Sequence, residues 1–494
     1  MDLPNVANFA FVLSKGKNND FVKKGLFCVT KTVEGTLIGI VEKIILENEY
    51  FSNIQTVKDY NDNKLNLIKG MFPSEKFEYG IAIVKCLGII LFKEKQKEIS
   101  QVKRMLYPAK PGAEVRYCDP KLLKQFLGFS NKEGGLFLGK VKITDLNAYI
   151  DINKLFNKHF ATLAISGAGK SYLTSVIIEE LLLREEDFGT PAIILIDVHG
   201  EYLYFKNNDQ LKSRVNVQDS SYFQISVPKL SAYSFKKYQE KISAAQVREL
   251  ARIISEFKEE KKKTSYDLKD IIAYIESSDN INKGTQQALI GWLYDLDRRL
   301  LFGSQENPPL ENIIKPGNLT IFNLQTETSI VKKQMIVEYL AGRLFSMRKK
   351  NKVPPFLMIV EEAHQFCPEQ SKSISKAIIE TIAREGRKFM ACLNLVSQRP
   401  KKLSTTALSQ CNSKLILKIS NPYDLKHLME SDEALTRSYG EMISSLAVGE
   451  LLIVGNAVNY PVFIEVRQRM EDTPTSTSLL DACSRWWKIH ENIE

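Results

Sequence analysis

The chain has 494 residues, of which 44% are hydrophobic and 26% are charged, and this composition excludes a wholly disordered or fibrous protein. The length predicts about two to four domains. Lys and Arg number 68 against 58 Asp and Glu, and the net charge of +10 permits nucleic-acid binding without demonstrating it.

The first part of the chain is rich in β-branched and aromatic residues. Segments 26–33, 36–45 and 79–92 are separated by Gly, Asn and Lys, which indicates short strands. Many short strands at this spacing are typical of a small barrel or sandwich. We therefore predict an N-terminal β-barrel over residues 1–150, because Gly134, Gly135 and Gly139 interrupt the extended stretch that precedes Asp151.

After Asp151 apolar strands alternate with amphipathic helices. A helix is predicted over 171–184, and the predicted strands are 160–165, 191–197, 356–360, 393–397 and 414–419. Continuous apolar strands separated by helices are typical of a parallel sheet covered on both faces. We expect an α/β core over residues 151–208 and 316–470.

Residues 209–315 interrupt the alternation with helical stretches, and we predict a helical insertion there. Its charge run at 259–263 (EEKKK) could contact DNA or could form a solvated helix end. Residues 471–494 are predicted to form a polar C-terminal tail, whose paired tryptophans could dock on a neighbouring subunit or pack locally.

The cysteines and the N-terminus bear on the cellular environment. Seven cysteines are scattered without a CxxC pair or a Cys/His cluster, which argues against a disulfide framework and a structural zinc site. Residues 1–17 lack the features of a signal peptide, and the most apolar stretch, 81–92, falls short of the ~20 residues that span a bilayer. We expect a cytoplasmic protein with no membrane partner.

The strongest motif is AISGAGKS at residues 164–171, between a predicted strand and a predicted helix. It has the form of a phosphate-binding loop, in which glycines turn backbone N–H groups toward phosphate oxygens. Lys170 would neutralise the β- and γ-phosphates, and the Ser171 hydroxyl would coordinate Mg²⁺. The alternative is an accidental glycine turn, and Ala164 stands where glycine is commoner. With ATP and Mg²⁺ as cofactors, the predicted nucleotide-binding residues are Ser166, Gly167, Ala168, Gly169, Lys170, Ser171 and Tyr172.

An apolar strand at 356–360 ends in Glu361 and Glu362. Phosphoryl transfer to water depends on positioning the nucleophile and neutralising developing charge. Glu361 would therefore hold Mg²⁺, and Glu362 would polarise the attacking water. The alternative is a strand that simply ends in exposed glutamates.

Two further segments supply candidate catalytic residues. Gln398 follows the strand at 393–397 and could sense the γ-phosphate or orient water, or could belong to a surface turn. Arg384 and Arg387 lie in a basic helix end, where either could act as an arginine finger on the next subunit's nucleotide or could face solvent.

The segment from Asp197 to Glu201 (DVHGE) follows the strand at 191–197. Its position at the carboxyl end of a strand places it near the ligand crevice of an open α/β sheet. It could support the site from behind its ligands, or it could only shape a turn. His364 could tune Glu362 or serve a structural role.

The motifs together resemble one family. AISGAGKS, IDVHGEY, IVEEAH, AREGRK, LVSQRP, LSQCNSKLILKISNPYDL and VGELLIVGNAVNYP occur in the order found in HerA-type ATPases, which belong with the FtsK-like translocases. The resemblance covers most of residues 110–470. It implies a RecA-like P-loop ATPase core, with a mainly parallel sheet, preceded by a small β-barrel.

The same resemblance implies a homohexameric ring that hydrolyses ATP and moves double-stranded DNA through a basic channel, often with a nuclease such as NurA or another effector in phage defence. Lys170 and Ser171 match the family's phosphate-loop pair, and Glu361 and Glu362 match its acidic pair.

The resemblance also assigns the sensor and the residues that act on a neighbour. Gln398 matches the sensor and Arg387 a trans-acting arginine. Lys158 falls where the family often has another trans-acting basic residue; as a lysine it lacks the planar fork of arginine.

We therefore expect an ATP-driven double-stranded DNA translocase acting in DNA end processing or phage defence. The alternative is a nucleotide-binding scaffold ring that assembles and regulates an effector nuclease. A secretion or conjugation motor is a third hypothesis, weakened by the lack of a membrane segment. Pore contacts would go to DNA phosphates, and the candidates, which could equally be solvated surface lysines, are Lys372, Lys376, Lys401 and Lys402.

Overall fold

The computed structural model describes residues 5–13, 22–48, 78–93, 99–261, 265–431, 435 and 437–470. Two compact units divide the chain. The first comprises 1–130, 139–148 and 462–465, and the second comprises 131–138, 149–461 and 466–494.

The described strands, in chain order, are β1 (Asn8–Val12), β2 (Phe27–Thr32), β3 (Gly35–Asn48), β4 (Glu78–Phe92), β5 (Ile99–Lys103), β6 (Val115–Tyr117), β7 (Gly135–Val141), β8 (Asn147–Asp151), β9 (His159–Leu163), β10 (Ala192–Asp197), β11 (Val215–Asp219), β12 (Ile225–Ser226), β13 (Phe302–Gly303), β14 (Leu319–Asn323), β15 (Phe356–Val360), β16 (Ala391–Ser397), β17 (Cys411–Ile416), β18 (Glu450–Gly455) and β19 (Val462–Val466).

The described α-helices are α1 (Pro120–Leu127), α2 (Ile152–Phe156), α3 (Lys170–Leu182), α4 (Ala232–Tyr238), α5 (Ala244–Lys261), α6 (Leu268–Glu276), α7 (Lys283–Asp297), α8 (Leu310–Ile313), α9 (Ile330–Lys349), α10 (Ala363–Phe366), α11 (Lys376–Glu385), α12 (Thr405–Ser409), α13 (Pro422–Ser431) and α14 (Arg437–Ser444).

The first unit is built on an antiparallel sheet with the strand order β1-β4-β3-β2-β6, in which β5 also pairs with β4. One face of the sheet buries a cluster of alternating apolar residues that includes Leu37, Val41, Val84 and Ile89. Because β1 and β6 lie at the two ends of this order, closure into the expected small barrel stays a prediction.

The second unit contains the order β11-β14-β10-β15-β16-β9-β17-β18, in which every pair is parallel except β17 with β18. All residues of β9, β10, β14, β15 and β16 are buried, as expected for strands covered by helices on both faces. The predicted α/β fold with a large, mainly parallel sheet is confirmed.

The segment 209–315 contains α4 to α8, but it is not wholly helical. β11 lies within it and pairs in parallel with β14 at the edge of the large sheet, while β12 and β13 form a separate two-stranded ladder. We therefore propose that the helical insertion begins after β11. Most of the charge run at 259–263, and the tail at 471–494 with its tryptophans, lie outside the residues whose side chains are described.

The parallel order determines where the loops meet. The carboxyl ends of β9, β10, β15 and β16 lie along one edge of the sheet, in the spatial order β10-β15-β16-β9. Loops that follow these four strands therefore converge in the crevice where open α/β sheets bind their ligands.

Candidate active site

The loop between β9 and α3 has the geometry of an anion cradle. Gly167 and Gly169 have φ values of 76° and 98°, which residues with a side chain rarely adopt. Gly169 is the N-cap of α3, so the free N–H groups at the start of that helix face the space that the loop encloses. Ala164, in the place where glycine is commoner, is fully buried and donates its N–H to the carbonyl oxygen of Ser397 at 3.2 Å.

Lys170 and Glu362 form an ion pair at the floor of the site. The Lys170 Nζ atom lies 3.5 Å from Glu362 Oε1, and the two side chains are only 11% and 3% exposed. Attraction between charges is strong where water is excluded, so each group holds the other in place. The structure thus brings together the phosphate-loop lysine and the second residue of the acidic pair.

The second Glu362 oxygen has two further neighbours. Gln398 Nε2 donates a hydrogen bond to Glu362 Oε2 at 3.3 Å, and His364 Nδ1 lies 3.3 Å from the same oxygen. Burial lowers the pKa of His364, with an opposing effect from Glu362. Glu362 itself has a φ of 47°, a strained conformation for a residue with a side chain, and such strain is concentrated at functional sites.

Glu361 points one oxygen at a tyrosine and leaves the other without a partner. The Tyr202 hydroxyl donates a hydrogen bond to Glu361 Oε1. Glu361 Oε2 is buried and has no hydrogen-bond partner among the described residues. Burial raises the pKa of Glu361 to about 7, with Glu201 and Asp197 adding to the effect and Lys170 opposing it. A buried carboxylate oxygen without a hydrogen-bond partner is a suitable ligand for a hard divalent cation.

The DVHGE segment forms a tight turn around a buried carboxylate. Both oxygens of Asp197 accept backbone N–H groups, at 3.2 Å from His199, 2.7 Å from Gly200, 3.2 Å from Glu201 and 3.1 Å from Tyr202. Gly200 has a φ of 76°, and a Cβ there would lie 2.3 Å from Gln325 Oε1. The turn also places Glu201 in contact with the Ser171 hydroxyl. The segment therefore both shapes a turn and contacts the phosphate loop.

A cavity of about 1070 Å³ opens above the phosphate loop. One wall is formed by Arg469, whose guanidinium carbon lies 4.6 Å from the ring centroid of Tyr172 and 5.6 Å from that of Tyr204. The backbone N–H of Arg469 donates to the Tyr172 hydroxyl at 2.8 Å. Tyr172 was predicted from its place after the loop, whereas Tyr204 and Arg469 were missed because only tertiary structure brings them there.

The predicted residues Lys158, Arg384 and Arg387 do not join this site. Lys158 immediately precedes β9, and the two arginines precede β16, so all three lie at the amino-terminal edge of the sheet. The five residues of β9 place that edge about 16 Å from the phosphate loop. Arg384 and Arg387 are exposed, whereas the Lys158 Nζ atom lies 3.2 Å from Asn412 Oδ1.

Three of the four lysines considered for DNA contacts have neighbours of their own. The Lys372 Nζ atom lies 3.4 Å from Glu240 Oε2, and Lys376 Nζ donates to the carbonyl oxygen of Glu369 at 2.9 Å. The Lys401 Nζ atom lies 4.9 Å from the ring centroid of Tyr423. Their DNA contacts stay a prediction.

The residues that the structure describes form neither a ready-made metal cluster nor a membrane-spanning helix. The described part of the chain contains no group of three or more His, Cys, Asp or Glu residues that could hold a metal ion, so a cation at Ser171 and Glu361 would need oxygen ligands from the nucleotide. Nor does any helix within these ranges combine the length and apolarity needed to cross a membrane.

Known proteins are similar to this chain in the region that contains the phosphate loop. The family model described as "Helicase HerA, central domain" matches residues 136–344. A probable helicase, MJECL08, of Methanocaldococcus jannaschii is 29% identical over 94% of this chain and 94% of its own length. The DNA double-strand break repair helicase HerA of Pyrococcus furiosus is 27% identical over 98% of this chain and 96% of its own length.

A solved structure shows the fold independently. VirB4 of Thermoanaerobacter pseudethanolicus matches with a TM-score of 0.53 at 15% identity, over 69% of this chain and 99% of that chain. The family match, the relatives that align over nearly the whole length and the phosphate loop with its acidic pair agree. The chain is an ATP hydrolase, and it is similar to a HerA helicase over nearly its whole length.

Proposed function

We propose that the protein is a homohexameric, ATP-driven translocase of double-stranded DNA. The single observation that carries the proposal is the partly buried cluster of Lys170, Glu362 and Gln398, which joins the phosphate loop to two neighbouring strand ends. Relatives aligned over 98% and 73% of the chain are named as helicases of DNA double-strand break repair, which supports DNA as the substrate.

The hydrolytic step follows from the cluster. Backbone N–H groups of the loop cradle the phosphates, and Lys170 turns from Glu362 toward the β- and γ-phosphates as they bind. Glu362, released from the ion pair but still held by Gln398, orients the attacking water and accepts its proton. Gln398 contacts this carboxylate from the next strand, so it can report to Glu362 whether a γ-phosphate is present.

The cation would be held by residues that fit it. The Ser171 hydroxyl and the unpartnered Glu361 oxygen are the hard oxygen ligands that Mg²⁺ prefers, and its other ligands would be phosphate oxygens and water. When bound, Mg²⁺ supplies charge neutralisation on the phosphate oxygens. Tyr202 fixes the orientation of Glu361 by donating to its other oxygen.

The ring proposal rests on the residues that lie away from the site. Arg384 and Arg387 are exposed at the opposite edge of the sheet from the phosphate loop of their own chain. In a closed ring each subunit can present that edge to its neighbour's nucleotide, which couples hydrolysis to subunit geometry. Lys158 lies at the same edge and would add a further positive charge.

The resemblance also supports a partner. We propose that the ring acts with a NurA-like nuclease or another effector, in DNA end processing or phage defence. DNA held in the channel would be contacted at its phosphates, so binding would be independent of sequence and would weaken as salt rises. A scaffold ring that regulates its partner with little translocation is the competing function.

One experiment separates these functions. ATP turnover is measured with and without linear duplex DNA, beside the mass of the protein in solution with ATP. A translocase shows turnover stimulated by duplex DNA, and Glu362→Gln lowers it by about 10²–10⁴-fold. Glu276→Gln, at the exposed end of α6, serves as the matched control. Slow turnover indifferent to DNA supports the scaffold, and turnover that survives Lys170→Ala contradicts the assigned site.

A further inference from the structure

Glu201 lies beside the hydroxyl that would face the cation. The Ser171 hydroxyl donates a hydrogen bond to Glu201 Oε2, and both residues line the same cavity as Tyr204. In a phosphate loop of this form the Ser171 hydroxyl would be the side chain that binds Mg²⁺. The carboxylate in contact with it here is Glu201 and not Glu361.

The Ser171 hydroxyl oxygen and Glu201 Oε2, which are in hydrogen-bond contact, could also bind the same cation. Adjacent ligands of an octahedral Mg²⁺ at ~2.1 Å lie ~3 Å apart, which is the contact distance of two oxygen atoms. If the two side chains move slightly apart, the carboxylate can therefore replace its hydrogen bond from Ser171 with a contact to a shared ion or to a water bound to it. Glu201 is exposed in the cavity, so this exchange does not open the core.

The turn at 197–202 aligns two contacts at once. Asp197, fully buried, binds the backbone N–H groups of Glu201 and Tyr202, and these consecutive residues then contact Ser171 and Glu361 respectively. The unpartnered, buried oxygen of Glu361 is an independent sign that a ligand belongs beside this turn. One turn thus reaches both residues that would hold the cation.

We propose that Glu201 is a further carboxylate of the magnesium site, which binds the nucleotide-bound cation directly or through one of its waters. The inference rests on the proposed nucleotide site and adds a residue to it. Its consequence is specific: near a polyphosphate the Glu201 charge is unfavourable when no metal is present and favourable when a metal lies between them.

The test compares nucleotide affinity with and without metal. The full-length protein is titrated with AMP-PNP in EDTA and in Mg²⁺, and Mn²⁺ binding to the AMP-PNP complex is followed by electron paramagnetic resonance. Glu201→Gln should bind AMP-PNP about fivefold more tightly than wild type in EDTA, because a negative charge has been removed. In Mg²⁺ it should bind about tenfold more weakly, with a matching loss of Mn²⁺ affinity.

A shorter carboxylate separates charge from reach. Glu201→Asp keeps the repulsion in EDTA but withdraws the oxygens from the cation, so it should match wild type in EDTA and resemble Glu201→Gln in Mg²⁺. Glu276→Gln should match wild type in both conditions. Glu201→Gln with unchanged or tighter Mn²⁺ binding overturns the inference, as does equal weakening with and without metal.

The controls also distinguish a failure of this inference from a failure of the proposed function on which it rests. If Lys170→Ala retains wild-type affinity for AMP-PNP, the proposed nucleotide site fails. If Lys170→Ala loses binding while Glu201→Gln keeps the full effect of metal, the site stands and only the role of Glu201 fails.

Discussion

The guanidinium of Arg469 lies on the ring of Tyr172, with 4.6 Å between its central carbon and the ring centroid. The Tyr204 ring lies at 5.6 Å from the same carbon, and Arg469 is only 7% exposed. The contact joins Tyr172, the residue that follows the phosphate loop, to Arg469 near the last described residue. It makes the wall of the cavity depend on a segment far away in sequence.

Replacing Arg469 should therefore weaken nucleotide binding. Arg469→Ala removes a desolvated cation–π contact of about 2 kcal/mol and frees the Tyr172 ring, so the Kd for ADP should rise roughly tenfold. Arg469→Lys keeps the charge but loses the flat stacking surface, and it should recover only part of the affinity. Isothermal titration with ADP checks both variants. Wild-type affinity in Arg469→Ala would show that this wall does not contribute to the nucleotide site.

The exposed arginines can be tested by mixing subunits. Lys170→Ala disables a subunit's own site, whereas Arg387→Ala is expected to disable only the site of its neighbour. In the proposed ring, a mixture of the two variants contains some interfaces that combine an intact site with an intact arginine, so the mixture should hydrolyse ATP faster than either variant alone.

The mixture is measured after the subunits of the two variants have been dissociated and reassembled together. A mixture of Lys170→Ala with Glu362→Gln is the control, because both defects lie in one subunit's own site and each subunit keeps its Arg387. Turnover in the arginine mixture no higher than the mean of its components would exclude action across an interface.

Much of the site was predictable because its motifs are local. The loop residues 164–171 are contiguous, and Glu361, Glu362 and Gln398 each follow an apolar strand, so a parallel sheet brings them to one edge. The roles predicted for these residues come from loop chemistry and strand order, and they stay predictions.

Other parts depend on contacts that no local pattern carries. Arg469 and Tyr172 are 297 residues apart, and neither segment indicates the other. β11 was missed for a different reason: its residues VNVQD are all half-buried, as is usual at a sheet edge, so it lacks the continuous apolar run of the central strands. The DVHGE turn was visible, but its contacts with Ser171 and Glu361 depend on the packing of β10 beside β15.

A buried ion-pair network should make α3 sensitive to one substitution. Arg467 donates from Nη1 to Glu179 Oε2 at 2.9 Å and from Nε to Glu180 Oε1 at 3.0 Å. Glu179 is 2% exposed in its side chain, so Arg467→Ala leaves a buried charge uncompensated and should cost about 3–5 kcal/mol.

Thermal unfolding measures this effect. The matched control is Lys352→Ala, which breaks an ion pair with Glu311 whose two side chains are 55% and 47% exposed. An exposed pair contributes about 0–1 kcal/mol, so the control should melt close to wild type. Equal melting temperatures for Arg467→Ala and Lys352→Ala would contradict the assignment of a buried network.

The stability of the second unit should fall in acid because of His159. This residue is buried, its Nδ1 accepts the backbone N–H of Leu393 at 2.9 Å, and burial, with a smaller contribution from Lys158, lowers its pKa to about 4. The unfolded imidazole binds a proton below about pH 6.5 and the folded one only below about pH 4. Stability is therefore full above pH 6.5 and is lost as the pH falls through this window, by about 2 kcal/mol at pH 5.

His159→Asn isolates that contribution, because the Asn side-chain oxygen can accept the same N–H but does not titrate. Thermal midpoints of wild type and His159→Asn are compared at pH 7.5 and pH 5. Other carboxylates and histidines lower both midpoints alike, so the additional fall in wild type reports His159. A drop of the same size in both proteins would mean that protonation of His159 does not oppose folding, and that its burial in β9 is compatible with the charged form.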